Sequence, residues 1–150
     1  MFRGTFEHTI DDKGRISVPV RFREFLQASS DDRIVITNFL VASAPCLDVY
    51  PYAAWVKLEE ALRAKPQFNP QVLKFITFYI SSAQDCEIDK QGRILLPPTL
   101  REYAGLKKDV LFASALEKFQ IWDRETWKQV FEAARREVAE QPGLLENLGI

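Results

Sequence analysis

The 150-residue chain has one histidine, His8, and two cysteines, Cys46 and Cys86, with no Cys-x-x-Cys pattern. That supplies no ligand set for a structural or catalytic zinc ion. Its six glycines form no Gly-x-x-x-x-Gly-Lys phosphate loop, and there is no Gly-x-Ser-x-Gly nucleophile elbow. No metal and no cofactor is expected. No apolar run approaches the ~20 residues that span a bilayer. Met1-Phe2-Arg3-Gly4 opens no apolar leader. A cytoplasmic chain with reduced thiols and no membrane partner is therefore expected. Charge of one sign is not in excess either: 20 basic residues face 21 acidic ones, a net −1. A monomer coated in positive charge is excluded, while a local basic face is not. At 47% hydrophobic and 27% charged residues the composition is that of an ordinary soluble globule. The length suits one compact domain or two small ones.

What the chain does contain is a copy of itself. Residues 10–26 read IDDKGRISVPVRFREFL and residues 88–104 read IDKQGRILLPPTLREYA, with eight of 17 positions identical at an offset of 78. The match resumes at an offset of 72, where Tyr50 and Trp55 correspond to Trp122 and Trp127. Copy one therefore carries about six extra residues, expected around 39–46. Two copies are too few for a solenoid, so the repeat predicts two halves about a pseudo-twofold axis.

Each half follows one plan. A strand enters the turn Asp-x-x-Gly-Arg, where Asp opens the turn and Gly takes a positive φ. A short return strand follows, 15–18 and 93–96. Pro19 and Pro97 each open a helix at its first position, where the missing N–H costs nothing. Phe22, Phe25 and Leu26 share one apolar face, as do Leu100, Tyr103 and Ala104, with Gly105 closing the second helix. Paired strands are predicted at 33–37 with 47–50 and at 110–113 with 119–122. A longer helix closes each half. Asp123 caps the second, whose stripe is Trp127, Val130, Phe131, Ala134 and Val138. Between the halves, Asn69-Pro70 starts a helix through 72–80. That segment is apolar almost all round, which requires wide burial or burial against another subunit. A strand over 75–80 remains open.

Enzyme chemistry finds little to work with. Asp11-Asp12 reads as a solvated turn, His8 as a strand residue that packs or faces solvent, and Trp55 and Trp127 as core. The basic residues remain: Arg3, Lys13, Arg15, Arg21 and Arg23 in copy one, and Lys90, Arg93 and Arg101 in copy two. Arginine's planar fork suits phosphate and the guanine edge. Arg15 and Arg93 could equally brace their own turns against Asp11 and Asp89.

Taken together, Asp11-Asp12-Lys13-Gly14-Arg15 with Pro19, and Asp89-Lys90-Gln91-Gly92-Arg93 with Pro97, resemble the MraZ family, bacterial regulators built from two AbrB/SpoVT-like halves. The resemblance covers nearly the whole chain. It implies an α+β fold, a pseudo-twofold swapped-hairpin β-barrel of tandem AbrB-like copies with flanking helices. The copies fall at 1–64 and 83–139, with a helical connector at 65–82 and a tail at 140–150. It further implies ring-shaped homo-oligomers that bind repeated boxes in double-stranded DNA upstream of their own division and cell-wall gene cluster. The expected function is repression at the nucleoid. The expected DNA-binding residues are Arg3, Asp11, Lys13, Arg15, Asp89, Lys90 and Arg93. Copy one is expected to dominate, since Lys13 and Arg21 have neutral counterparts in Gln91 and Thr99. A protein-interaction module of antitoxin type, using 141–150 as its tail, is the alternative, and an enzyme a distant third.

Overall fold

The computed structural model describes residues 1–29 and 31–150. In chain order the elements are β1 (Thr5–Thr9), β2 (Arg15–Ser17), α1 (Val20–Ala28), β3 (Arg33–Val41), β4 (Ala44–Pro51), α2 (Tyr52–Arg63) and α3 (Pro70–Phe75). A single π-helical turn, Ile76–Ile80, continues α3. There follow β5 (Gln84–Glu87), β6 (Arg93–Leu95), α4 (Pro98–Tyr103), β7 (Asp109–Ala115), β8 (Lys118–Asp123), α5 (Arg124–Ala139) and α6 (Leu144–Asn147). Among the described residues no helix is long and apolar enough to cross a membrane.

The fold is α+β. Six antiparallel strands form one sheet in the order β1-β7-β8-β4-β3-β5, and β2 pairs with β6 in a separate ribbon. The copies interleave. β1, from copy one, lies against β7 of copy two, while β5, from copy two, lies against β3 of copy one. Two pairs of equivalent residues meet where the pseudo-twofold passes: Ile16 faces Ile94 in the ribbon, and Asp48 faces Gln120 where β4 meets β8.

Strand alternation sorts side chains to the two faces of the sheet. Ile34, Ile36, Leu47, Val49, Val110, Phe112, Phe119 and Ile121 join the ribbon's Ile16 and Ile94 with Phe22, Leu26 and Leu100 in the main core. The opposite face carries Val35, Cys46, Leu111, Ala113 and Trp122 against α2, the π turn and α5. There Asp48 is fully buried. It accepts from Tyr79 Oη, from Lys118 Nζ at 2.7 Å and from Gln120 Nε2 at 2.9 Å. A buried carboxylate is tolerable only when its lone pairs are met in this way. Cys46 and Cys86 are free thiols. Burial pushes the Cys46 thiol far up, and that of Cys86 up to about 11.

Several elements differ from the sequence reading. Pro19 and Pro97 are the N-caps of α1 and α4, with extended ψ of 139° and 131°, not their first helical residues. Proline disfavours helical geometry in the residue before it, so Pro98 at the first position of α4 forces Pro97 outside. The extra residues of copy one are divided. Two fall between Pro19 and β3, and four lengthen the β3–β4 hairpin, as the matched end pairs Ile34↔Pro51 and Val110↔Asp123 show. The strand alternative at 75–80 gives way to helix, because Asn69 Oδ1 caps Gln71 N at 2.8 Å with Pro70 at the first position. In that segment only Tyr79 is buried, and Leu73 is 47% exposed. Asp123 caps α5 as expected, accepting from Thr126 N at 3.0 Å, yet α5 buries none of its residues.

Candidate nucleic-acid interface

The two Asp-x-x-Gly-Arg segments fold identically, for local reasons. Gly14 N donates to the Asp11 carbonyl at 3.0 Å and Asp11 N to the Arg15 carbonyl at 2.9 Å. Gly92 and Asp89 make the same two bonds in copy two. The glycines take φ of +82° and +76°, the left-handed position that closes a three-residue hairpin loop. Asp11 Oδ1 accepts from Lys13 N and Arg15 N, both at 2.9 Å, and Oδ2 accepts from Arg15 Nε at 2.7 Å. Asp89 repeats this with Gln91 N, Arg93 N and Arg93 Nε, the last at 3.3 Å. Backbone bonds from Arg15 and Arg93 hold the two carboxyls below the ordinary carboxylate range. The turns are therefore fully braced at neutral pH and loosen only in acid.

Bracing and outward contact do not exclude one another. Each aspartate engages its arginine through Nε, so Arg15 keeps both terminal nitrogens without an acceptor among the described residues. Arg93 gives one of its own to Gln91 Oε1 at 3.2 Å.

The turns are brought together by pairing across the copies. Arg15 faces Leu95, Ile16 faces Ile94 and Ser17 faces Arg93. Val18 N donates to the Gly92 carbonyl at 2.9 Å and Leu96 N to the Gly14 carbonyl at 3.0 Å. With Ile16 and Ile94 buried, alternation puts Arg15, Ser17, Arg93 and Leu95 on the outer face. Arg15 and Arg93 are diagonal neighbours there, ~7 Å apart by strand geometry. Lys13 and Lys90 stand on the flanking turns. A two-stranded ribbon of this width fits the DNA major groove.

The helical arginines reach across the copies. Arg23 does not back the first turn but lies across the second: a Cβ on Gly92 would fall 2.3 Å from its Nη1. Arg101 lies less tightly over Gly14, at 3.4 Å. Each is also tied to backbone carbonyls, Arg23 Nε to Val18 at 3.1 Å and Arg101 Nε to Leu106 at 3.2 Å. The crossing of the copies brings each helix to the other copy's turn. Arg3 is not brought to this cluster. It lies beyond the far end of β1 from Asp11, next to the Phe2–Leu116 bridge, and lines a cleft with Arg21 and Glu24. His8 is half-buried, its ring edge-on to Phe112 at 5.3 Å. Burial first, then the Arg23 charge, lowers its pKa.

The family model described as "MraZ protein, putative antitoxin-like" matches residues 1–73 and 79–143. "Transcriptional regulator MraZ" of Desulfitobacterium hafniense (strain DSM 10664 / DCB-2) is 45% identical over 150 residues, all of both chains. The protein of that name from Syntrophobacter fumaroxidans is 46% identical over 126 residues, 84% of this chain and 81% of its own. The one from Thioalkalivibrio sulfidiphilus is 40% identical along the full length of both. With matched turns in both copies and similarity running end to end, this chain belongs to the MraZ family.

Proposed function

We propose that this chain is a DNA-binding transcriptional regulator that represses its own division and cell-wall gene cluster. It acts in the cytoplasm, at the nucleoid, as a ring-shaped homo-oligomer on repeated promoter boxes. The observation that carries the reading is the β2–β6 ribbon, which presents Arg15 and Arg93 side by side on one outward face. Asp11 and Asp89 orient the two guanidinium groups, while Lys13 and Lys90 add phosphate contacts beside them. Arg3 would reach phosphate at the periphery. On this reading the crossed strand pairing is the swapped-hairpin barrel of AbrB/SpoVT type, with copies at 1–64 and 83–139.

A near-neutral subunit suits such a role when many act together. Each ribbon offers a small basic patch, and linking patches along one duplex raises affinity through effective concentration. Repeated boxes then match repeated subunits, as paired half-sites match a dimer. Repression needs no catalysis, because an occupied promoter excludes polymerase.

Titrating the chain against its own upstream DNA and a scrambled control at several salt concentrations tests the reading. If Z phosphates are neutralised, log K falls with log salt at about −0.9Z. Salt-independent binding, or equal binding to the scrambled control, would refute it.

A further inference from the structure

The loops that enter β3 and β7 are equivalent in the repeat, and their charges are opposite. Ile10 N donates to the Lys108 carbonyl at 2.9 Å, and Ile88 N to the Asp32 carbonyl at 3.2 Å. Lys108 and Asp32 therefore hold the same place, each bonded to the residue that leads into a turn. Within the turns the charges are reversed again: Asp12 of the first corresponds to Lys90 of the second. The second turn carries its lysine on the turn and an acid on the loop. The first carries the acid on the turn and the lysine on the loop.

The second copy shows that these two places adjoin, since Asp32 and Lys90 line one cleft with Arg23 and Asp89. In the first copy Thr9 pairs with Asp109, so Lys108 stands opposite Ile10 at the next position of the register. Ile10 is buried in the core on the ribbon's side of the sheet and bridges to Ile16 of the ribbon. Alternation puts Lys108 on that side with Val110 and sends Asp109 to the other. There Asp109 meets Arg124 at 3.9 Å, which also stands 3.8 Å from Glu7.

Lys108 is exposed and its charge is unspent. Asp11 is paired with Arg15 and Asp109 with Arg124, and among the described residues Lys108 forms no ion pair. The other charges on its own loop and on α4 beside it are Lys107, Arg101 and Glu102. Arg101 fixes the loop, donating from Nε to the Leu106 carbonyl at 3.2 Å and from Nη2 to that of Lys107 at 2.9 Å. A backbone already held in place loses little freedom on binding.

We propose that Lys108 contacts a DNA phosphate beside Arg15, doing for the first turn what Lys90 does for the second. This contact rests on the DNA-binding reading above and adds to it a residue from outside the Asp-x-x-Gly-Arg segments. Lysine meets phosphate as a point charge, not as a fork, so it can be supplied from the turn or from the adjoining loop. Such a contact positions the protein on the duplex and reads no sequence.

Lys108→Gln tests this by fluorescence anisotropy with the chain's own upstream DNA and a scrambled duplex at several salt concentrations. Each phosphate contact contributes about −0.9 to the slope of log K against log salt. The variant is expected to flatten the slope by about that amount and to weaken binding to both duplexes by the same factor. Exchanging the charges in Asp12→Lys/Lys108→Asp gives the first turn the arrangement of the second, and the wild-type slope is expected to return. A Lys108→Gln variant with the wild-type slope overturns the assignment, as does a loss confined to the upstream DNA. An exchange variant that binds as weakly as Lys108→Gln overturns it too. Should Lys108→Gln melt early by circular dichroism, the exchange variant alone decides. A wild type that binds neither duplex, or binds without salt dependence, overturns the DNA-binding reading as a whole. Salt-dependent wild-type binding with an unaffected variant overturns the role of Lys108 alone.

Discussion

Arg15→Ala is expected to weaken promoter binding more than Arg93→Ala, although the two residues occupy equivalent positions. The difference lies in donors left over after the turn is braced. Arg15 spends only Nε on Asp11, at 2.7 Å, and Lys13 stands two residues before it. Arg93 spends Nε on Asp89 and one terminal nitrogen on Gln91, the neutral counterpart of that lysine. One arginine contact to DNA is worth about 1–3 kcal/mol. At ~1.4 kcal/mol per decade, Arg15→Ala should cost roughly 5–150-fold in affinity and Arg93→Ala should sit at the lower end. Fluorescence anisotropy at three salt concentrations separates the kinds of contact, since losing a phosphate contact lowers the salt slope by about one and losing a base contact does not. Both ion pairs are partly exposed to solvent, so melting temperatures should move by only about a degree or two. If Arg93→Ala is the weaker binder, the asymmetry argued here is reversed. If Arg15→Ala melts early while its folded fraction binds DNA as tightly as the wild type, the arginine only braces its turn.

Gly92→Ala should destabilise the fold more than Gly14→Ala in urea unfolding, because both strain a positive φ but only the first collides with a guanidinium. Adding Arg23→Ala should bring Gly92→Ala back to the level of Gly14→Ala, and no rescue would mean that the close approach is unimportant. His8 gives a pH signature. Its folded pKa lies below 6.5, so in acid the unfolded chain binds the extra proton first and stability falls as pH drops through that value. Urea unfolding at pH 8 and pH 5.5 should show the loss, His8→Gln should reduce it, and an unchanged slope in that variant would assign it to other groups.

Short-range chemistry was legible in the sequence and partner choice was not. Gly14 and Gly92 announced their positive φ, Asp11 and Asp89 their turns, and Asp123 and Asn69 their helix caps, since each acts on residues within four positions. The repeat itself disclosed the pseudo-twofold. Nothing local told β2 to pair with β6, because a three-residue strand carries no partner preference. The positions of Arg23 and Arg101 depend on that pairing, so they could be read only as basic residues near their own turns. The stripe on α5 was correctly located, with Trp127 and Val130 packed against the sheet and Phe131 and Val138 left exposed: periodicity identifies an apolar face, not what covers it. The candidate site was thus legible as two arginine turns, while their union on one ribbon is a property of the folded chain.

The interleaving of the copies bears on synthesis. β1 ends at Thr9, yet its partner β7 spans Asp109–Ala115. At 5–20 residues per second, roughly 5–20 s separate the two at the ribosome. Throughout that interval copy one has its turn, α1 and the β3–β4 hairpin but lacks the strands that complete its sheet and ribbon. Copy one cannot fold ahead of copy two, and the nascent chain carries unpaired strand edges until its last third emerges. Chaperone demand, and loss to aggregation when translation stalls between the repeats, should therefore concentrate in the middle of the message.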